Sequence, residues 1–315
     1  MERRNISELN IGDCVNEMFL LTEITEGNCS TGRFVRGVLS DANGKINVVA
    51  WSYTGDVTAS DNGCIVYVSG VVNNDKNGNS QIKATEISKM DPGEVDKSEL
   101  VPVAPVSVDV MQGYIRKTIN KMNDSDYQTL CKAILNENPD EFICYPAAQF
   151  VHDAVVHGLL HHTYKMLLAA ERIAEIYAGY IDKDLLLAGV ILHDVGKILE
   201  FDVNDLGLVS DYSVDGKFRN HLILGGEMVR AKAEELKIGE DKIKLIENII
   251  LSHHGKAEYG AVALPLTLEA QIVHQIDMLD SRITAGIEGI KGVPDGEFSQ
   301  KIFALDNVRL YCHTS

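Results

Sequence analysis

The first part of the chain carries short runs in which apolar and polar side chains alternate, the pattern of half-buried β-strands. Polar turn-forming segments separate them: "DANG" (41–44) follows the second run, and "NNDKNGN" (73–79) follows the fourth. Several short strands within about 80 residues are typical of a small Greek-key barrel such as the OB-fold. The runs are residues 17–27, 34–41, 45–52, 63–72 and 80–88.

Beyond residue 90 a proline-rich stretch is followed by apolar residues at helical spacing. Residues 91–110 hold three of the seven prolines, which predicts an extended linker. Ser125, with a glutamine three residues later, has the capping-box pattern of a helix start, whereas residues 201–217 are expected to form a loop. We therefore expect a multidomain chain: an N-terminal small β-barrel (OB-fold) at 1–90, a linker and connecting segment at 91–124, and an all-α helical bundle at 125–315.

Charge is distributed unevenly between these predicted parts. The formal net charge is −17, yet residues 1–90 contain 11 acidic and 8 basic side chains, so most of the acidity lies in the helical part. Such a chain is not expected to coat nucleic acid through a basic surface. The longest apolar run, "LLLAGVIL" (185–192), is too short to cross a bilayer, so no membrane association is expected.

The six cysteines are scattered, and no two of them form a CxxC pair. This spacing argues against a zinc ribbon or a disulfide framework and suits a reducing compartment. The N-terminal "MERRNISELN" lacks the apolar core of a signal peptide. The expected location is therefore the cytoplasm.

All ten histidines lie beyond residue 150, although histidine is the commonest metal ligand and acid–base group. Most stand at one end of an apolar helical stripe, and aspartates accompany them. In sequence order the spacing is H-x30-HD-x26-H-x31-HH-x22-D. Helical bundles build metal sites in this way, from side chains that face inward on neighbouring helices. The ligand-type residues are His162, His193, Asp194, His221, His253, His254 and Asp277.

Imidazole and carboxylate ligands together favour a first-row divalent ion such as Mn, Fe, Co, Ni or Zn. Two such ions joined by a carboxylate can cleave phosphoesters, and Asp194, next to His193, is the natural bridge. Lys197 follows His193 by one helical turn and has two interpretations. In the first, its ammonium holds a substrate phosphate oxygen or the attacking water. In the second, its positive charge stabilises the C-terminus of a helix. Gly196 is expected to leave backbone room beside the ions.

Aromatic and basic residues in the predicted barrel suggest a surface for nucleic acid. Trp51 ends the third predicted strand, and Phe34 and Arg36 point outward on the second if the residue between them points inward. Such residues stack on single-stranded bases and contact phosphates, and Lys83 is a further basic candidate. The alternative for Trp51 is that it closes the bottom of the barrel.

The order H…HD…H…HH…D, with "HDVGK" (193–197) at its centre, resembles the HD superfamily of metal-dependent phosphohydrolases. The whole chain further resembles the YhaM-type 3′-to-5′ exoribonucleases, which place an OB-fold before an HD domain. For the predicted barrel, the resemblance rests on the order of the strands and domains more than on sequence motifs. The matching stretches include "LLLAGVILHDVGKILE" (185–200), "LSHHGKAEYGA" (251–261), "PLTLEAQIVHQIDMLDSR" (265–282) and "FALDNVRLY" (303–311).

The resemblance implies two ions per chain, with Mn expected first. One ion would be held by His162, His193, Asp194 and Asp277. The second would be held by Asp194, His221 and His253, with His254 as a further ligand or a phosphate contact. From its position three residues before Asp277, His274 is expected to support or pack against the site, and the alternative is that it lines the pocket. Asp280 either orients a ligand or pairs with Arg282 or another group.

The resulting hypothesis is a divalent-metal-dependent 3′-to-5′ exonuclease that hydrolyses single-stranded RNA, and also DNA, to nucleoside monophosphates. Catalysis would rest on Asp194 and Lys197, and a homo-oligomer is one further expectation. The first alternative is a phosphohydrolase of free nucleotides or cyclic dinucleotides, although no "GYP" follows "HHG" (253–255). The second alternative is a non-catalytic nucleic-acid-binding protein.

Overall fold

The structure is a computed structural model that describes residues 4–30, 32–76, 78–91, 100–101, 103–148, 155–204 and 206–313. Two compact units make up the chain, Met1–Val103 and Ala104–Ser315. The division between them falls inside the segment that the sequence predicts as a linker. Residues 92–99 and 102 of that segment lie outside the described residues.

A closed β-barrel forms the first unit, in the order β1-β2-β3-β5-β4. All its strand pairs are antiparallel except β3 with β5, which is parallel. This barrel confirms the predicted OB-fold. The strands are β1 (Cys14–Cys29), β2 (Gly32–Asp41), β3 (Gly44–Ala50), β4 (Cys64–Asn74) and β5 (Ser80–Lys89).

The long first strand closes the barrel because it bends. β1 pairs with β4 along its first half and with β2 along its second half, and a register shift separates Thr22 from Thr25. Such a bulge lets one strand turn from one neighbour to the other. Every second residue points inward, so that Val35, Val48 and Val68 are almost completely buried.

Helices dominate the second unit. They are α1 (Val108–Asn120), α2 (Ser125–Glu137), α3 (Pro139–Cys144), α4 (Gly158–Ile176), α5 (Lys183–Leu192), α6 (Lys197–Glu200), α7 (Val214–Glu235), α8 (Glu240–Ser252) and α9 (Leu268–Ile290). None of the helices among the described residues is long and apolar enough to cross a membrane. α5 is buried on all sides from Asp184 to Leu192, as its continuous apolar sequence requires.

Two helix starts differ from the sequence-based expectation. α1 lies in the segment predicted to be connecting, yet its Met111, Ile115 and Ile119 are buried in the core of the helical unit. Their i, i+4, i+8 spacing is that of an apolar helix face, although it follows directly on the prolines. At α2 the cap is Asp124, whose side chain accepts hydrogen bonds from the backbone of Asp126 and Tyr127. The prediction of Ser125 as the cap was therefore wrong by one residue.

The helical unit is not entirely α. Strands β6 (Phe201–Val203) and β7 (Val209–Tyr212) pair antiparallel inside the stretch 201–217 that was predicted to be a loop. The rings of Phe201 and Tyr212 pack edge to face at 5.3 Å across this hairpin. A two-stranded hairpin of three or four residues per strand is too short to leave a period-2 pattern in the sequence.

Candidate functional site

The structure brings the ligand-type residues of five helices to one place. α4 contributes a residue near its start, and α7 and α9 each contribute one from their interior. The remaining residues directly follow the last residue of α5 or of α8. These residues form overlapping groups in which the ligand atoms lie within 4.8 Å of one another. The residues so assembled are His162, His193, Asp194, His221, His253, His254 and Asp277.

The first group surrounds Nε2 of His162. This atom lies 3.3 Å from Nε2 of His193 and 3.3 Å from Oδ1 of Asp277. Oδ2 of Asp194 is 3.8 Å from the same atom and 3.4 Å from Nε2 of His193. Two imidazoles and two carboxylates thus converge, as the resemblance implied for one ion.

The second group meets the other oxygen of the same aspartate. Oδ1 of Asp194 lies 3.5 Å from Nε2 of His221 and 3.5 Å from Nε2 of His253. The ring of His254 packs 4.4 Å from that of His253 and 5.1 Å from that of His221. Each carboxylate oxygen of Asp194 therefore faces a different group of ligands, which is the geometry a bridging carboxylate needs.

Three buried atoms of the second group have no hydrogen-bond partner among the described residues: Oδ1 of Asp194 and Nε2 of His221 and of His253. A buried polar atom without a partner is costly, by about 1–3 kcal/mol each. A divalent cation would satisfy all three at once, and nitrogen and carboxylate donors suit a first-row ion. The residues present therefore fit a metal centre.

Hydrogen bonds at the outer ring nitrogens hold the histidines in the ligand orientation. The Nδ1–H of His193 donates to the carbonyl oxygen of Val190 at 2.8 Å, and that of His253 donates to Ile250 at 2.7 Å. Each ring therefore turns the lone pair of Nε2 toward the site, as zinc- and iron-binding histidines do. Each carbonyl belongs to the residue three positions before the histidine, in the last turn of a helix, where carbonyls lack intrahelical partners.

The Nδ1–H of His254 donates to the carbonyl oxygen of Tyr259 at 2.9 Å, which leaves the Nε2 lone pair free for the ligand group of His221 and His253. Burial, together with the neighbouring His253 and His221, lowers the pKa of His254 to about 3, so the ring is neutral near pH 7. A neutral ring with an inward lone pair can bind a cation but would repel a phosphate oxygen. This geometry favours the ligand alternative for His254.

Glu200 is a functional residue that the sequence reasoning missed. Its Oε1 accepts the backbone N–H of His221 at 2.9 Å, and its Oε2 accepts the Nδ1–H of the same ring at 2.9 Å. The carboxylate thereby orients His221, and it is almost fully buried. In the sequence, this role is indicated by an acidic residue that stands inside the apolar run "ILEF" (198–201).

Asp280 and His274 hold other parts of the site in position. Oδ2 of Asp280 accepts from Nδ1 of His162 at 2.8 Å, and it also pairs with Lys165. Asp280 thus takes the orienting role, whereas Arg282 pairs with a different aspartate. The Nδ1–H of His274 donates to the carbonyl of His253 at 2.8 Å, which fixes the end of α8.

Electrostatics keep the two central carboxylates ionised in the metal-free protein. Burial by itself raises the pKa of Asp194, but the charge of Lys197 is the largest of the effects that lower it well below its usual range. The pKa of Asp277 is likewise raised by burial and lowered further by His162. In turn, burial lowers the pKa of His162, while Asp277 and Asp280 raise it to a net value of about 10. Two ionised carboxylates thus face the charges of Lys197 and His162, and a cation that binds at His162 must displace its proton.

Lys197 contacts Asp194 instead of lying one turn beyond His193. α5 ends at Leu192, and the residues before α6 form tight turns in which the N–H of Lys197 donates to the carbonyl of Asp194 at 3.0 Å. A tighter turn of about three residues brings residues three apart together. Nζ of Lys197 consequently lies 2.6 Å from Oδ2 of Asp194. Its contact with a substrate phosphate stays a prediction.

Gly196 is required by the backbone of α7, not by space beside the ions. A Cβ at this position would lie 2.0 Å from the carbonyl oxygen of His221 and 2.6 Å from the backbone nitrogen of Gly225. α7 is also interrupted at Asn220, which has φ 51°, and its side chain caps the following turn by accepting from Leu222. The break and the close approach together set the position of His221.

A cavity of about 620 Å³ opens in front of these ligands. Asp194, Lys197, His254 and Asp277 lie in its wall, so a substrate in the cavity would reach both groups of ligands. Its size is that of a site for a small molecule or for one end of a polymer.

Replacement of Glu200 by glutamine is expected to weaken Mn binding about 10- to 100-fold, the usual effect of removing a carboxylate that orients a metal-bound histidine. The amide can accept only one of the two hydrogen bonds that Glu200 now accepts from His221. Calorimetric titration of the full chain with Mn measures this. Glu227→Gln, which changes an exposed glutamate paired with Arg219, is the control, and equal affinities for the two variants would contradict the role.

In the barrel, the predicted residues share the outer face. The rings of Phe34 and Trp51 lie 5.4 Å apart, and the guanidinium of Arg36 lies 5.8 Å from the centre of Phe34. Strand register places Arg36 beside Val49 and Val49 beside Lys83, in one row across β2, β3 and β5. Trp51 is half exposed, so it does not close the barrel. Their contact with nucleic acid stays a prediction.

Solved structures with partial likeness to the chain include an OB-fold domain and RecG. The second OB-fold domain of replication protein A from Methanococcus maripaludis is 24% identical, covers 29% of this chain and 96% of its own, and has a TM-score of 0.22. RecG bound to a three-way DNA junction is 14% identical, covers 64% of this chain and 27% of its own, and has a TM-score of 0.23. Both scores are too low to support a function.

Sequence matches to known families cover both units. A family model of the HD domain matches residues 159–282, and a model described as an OB-fold nucleic acid binding domain matches residues 23–90. A protein of Listeria innocua named 3′-5′ exoribonuclease YhaM is 35% identical over 319 residues, 99% of this chain and 98% of that protein. With the HD ligands gathered as described and the barrel in place, the chain belongs to the family of YhaM 3′-5′ exoribonucleases.

Proposed function

We propose that this protein is a divalent-metal-dependent 3′-to-5′ exonuclease that hydrolyses single-stranded RNA, and also DNA, to nucleoside monophosphates. The observation that carries the proposal is Asp194, whose two oxygens face separate groups of histidines at the wall of one cavity. Membership in the YhaM family supports the direction of cleavage and the RNA substrate.

Two ions are proposed per chain, with Mn as the first choice and Fe, Co, Ni or Zn as alternatives. When bound, such ions supply a hydroxide near neutral pH and neutralise charge on the phosphate. One would be held by the group around His162 and the other by the group around His221, with Asp194 shared.

The chain's own residues position the scissile phosphate. Lys197 is held at Oδ2 of Asp194 and lies in the cavity wall, where its ammonium can contact a phosphate oxygen. Asp194 keeps Lys197 charged, because its carboxylate raises the pKa of the ammonium although burial lowers it. Lys197 thus offsets part of the negative charge that would otherwise repel a polyanionic strand.

The barrel is proposed to hold the strand while the helical unit cuts it. Aromatic rings such as Phe34 and Trp51 stack on bases of any identity, and Arg36 and Lys83 contact phosphates. A separate binding module is useful here because the metal-binding part of the chain is strongly acidic. A homo-oligomer and a cytoplasmic location remain further proposals, the latter supported by the free cysteines.

The deciding experiment gives the Mn-loaded protein a single-stranded RNA labelled at its 5′ end. We expect a ladder that shortens from the 3′ end and nucleoside 5′-monophosphates as products, both stopped by a chelator. The same RNA with a 3′ label should release the label first as a mononucleotide.

Free mononucleotides and cyclic dinucleotides are the comparison substrates. Internal cleavage, shortening from the 5′ end, or faster turnover of the free nucleotides than of RNA would contradict the proposal. Less than about one ion per chain without activity on adding Mn would indicate a binding protein instead.

A further inference from the structure

We propose that the metal-lined cavity contains a base-binding subsite, formed by the rings of Tyr259 and Phe303, that stacks the 3′-terminal base of the strand. The subsite would grip the terminal nucleotide whatever its base. This inference rests on the proposed exonuclease function, and it names the part of the substrate that the cavity recognises.

Both rings are exposed although they line the cavity. Tyr259 is 58% exposed and Phe303 is 87% exposed, in the same cavity wall as Asp194. Two other aromatic residues of the cavity, Phe201 and Tyr212, pack against each other instead. Large aromatic faces left open beside a candidate reaction centre are typical of a binding surface.

The position of Tyr259 is tied to the metal centre. Its carbonyl oxygen accepts a hydrogen bond from the Nδ1–H of His254 at 2.9 Å. The short 3-10 turn Ala257–Tyr259 carries it, and the turn ends at Gly260, whose φ of 93° suits glycine. Lys256 places its ammonium 6.0 Å from the centre of the ring. The backbone of Tyr259 is therefore held at a fixed place relative to a candidate ligand, and the ring extends from it beside Lys256.

Phe303 projects from a closed and anchored loop. The ends of the loop pair at Ile302 and Val308, and Asp306 pairs with Arg282 of α9 at 3.0 Å. Asp306 and Asn307 both adopt left-handed φ values, 56° and 63°. Aspartate and asparagine adopt this conformation more readily than other non-glycine residues, so the two give the loop a defined tight turn.

A base is the part of the substrate that these rings fit. Aromatic faces stack on any base, whereas reading a base's identity needs hydrogen-bonding groups at its edge. The proposed subsite consists of two ring faces, so no selection among the four bases is expected from it. Hydrolysis of the last phosphodiester at the metal ligands would leave the released nucleotide in this cavity, so the stacked base is the 3′-terminal one.

The test compares two RNAs that differ only in the last nucleotide, one ending in uridine and one in an abasic ribose. In the Mn-loaded full chain, Phe303→Ala and Tyr259→Ala should each lower kcat/KM on the uridine end about 5- to 150-fold, chiefly through KM. On the abasic end each variant should equal the parent, because the base that stacks is already absent. Phe303→Trp should retain activity on both RNAs.

Tyr180→Ala is the matched control, because Tyr180 is 80% exposed in the same unit but lies outside the cavity wall. It should change neither rate. Equal losses on both RNAs for the Phe303 and Tyr259 variants, or no loss on the uridine end, would overturn the subsite.

Binding of mononucleotides tests the subsite without turnover. By calorimetry, uridine 5′-monophosphate should bind the Mn-loaded protein more tightly than ribose 5-phosphate, and Phe303→Ala should remove the difference. Equal binding by the parent would overturn the subsite. Tighter uridine binding in a protein that does not shorten RNA would uphold the subsite and overturn the exonuclease function instead.

Discussion

Replacement of Asp194 by asparagine should lower RNA hydrolysis by about a thousandfold or more, while the helical circular-dichroism signal remains. The amide keeps the shape of the side chain but loses the charge, and one of its two faces becomes an N–H donor. Whichever way it turns, one of the two groups of histidines that Asp194 now faces meets this donor in place of an oxygen. Mn content after dialysis and the rate on labelled RNA are the two measurements.

Loss of the carboxylate also leaves Lys197 buried without its partner, which destabilises the fold by up to about 3–5 kcal/mol. The double variant Asp194→Asn with Lys197→Met should recover this stability but not the activity. Asp184→Asn is a second control, because Asp184 is a buried carboxylate that accepts from the backbone of Asn123 and Asp124 away from the cavity. Asp184→Asn should cost stability and leave the rate per folded protein unchanged.

Near-normal Mn content and a rate within tenfold of the parent in Asp194→Asn would show that Asp194 does not bridge the ions.

Replacement of Gly196 by alanine should both unfold the helical unit at a lower temperature and weaken metal binding. The added Cβ would lie 2.0 Å from the carbonyl oxygen of His221, and that atom belongs to the backbone, so α7 itself must move. Overpacking of this kind costs about 3 kcal/mol, which corresponds to a Tm lower by about 6–12 °C for a unit of this size. A thermal melt and a Mn titration of the same preparation measure both effects.

Gly113→Ala is the matched control for this change. Gly113 lies inside α1, and a Cβ there meets nothing within 4 Å. The alanine should therefore leave the Tm unchanged or raise it, since alanine favours a helix over glycine by about 0.5–1 kcal/mol. If Gly196→Ala has the Tm and the Mn affinity of the parent, α6 and α7 can move apart without loss of stability or metal binding, which would contradict the prediction.

Much of the fold and the candidate site followed from local patterns. Val35 and Val48 lie in strands whose alternation had been visible, and the barrel is closed as expected. The ligand-type residues were identifiable because each follows or interrupts an apolar helix face, and helices of a bundle turn such faces toward one another. α1 was missed as a helix because its apolar spacing begins directly after the prolines.

Partners far apart in the chain could not be predicted from spacing. Glu200 contacts His221 across a hairpin, and Asp280 contacts His162 from a helix more than a hundred residues later. Gly196 could be recognised as unusual, yet the reason for it is the backbone of α7. Such contacts depend on how elements pack, and the sequence periodicity of one element carries no information about the neighbour it meets.

By itself, the sequence determined which side chains can bind metal, the barrel and the helices that carry them, and the resemblance that names the chemistry. Local periodicity and residue type suffice for these, because burial of an apolar face decides where each helix points. Only the tertiary structure decided that the two oxygens of Asp194 face different histidines and that Lys197 pairs with Asp194. It also decided that Tyr259 and Phe303 share the cavity. Those relations arise from side-chain rotation and helix packing, which depend on distances between elements that are remote in the chain.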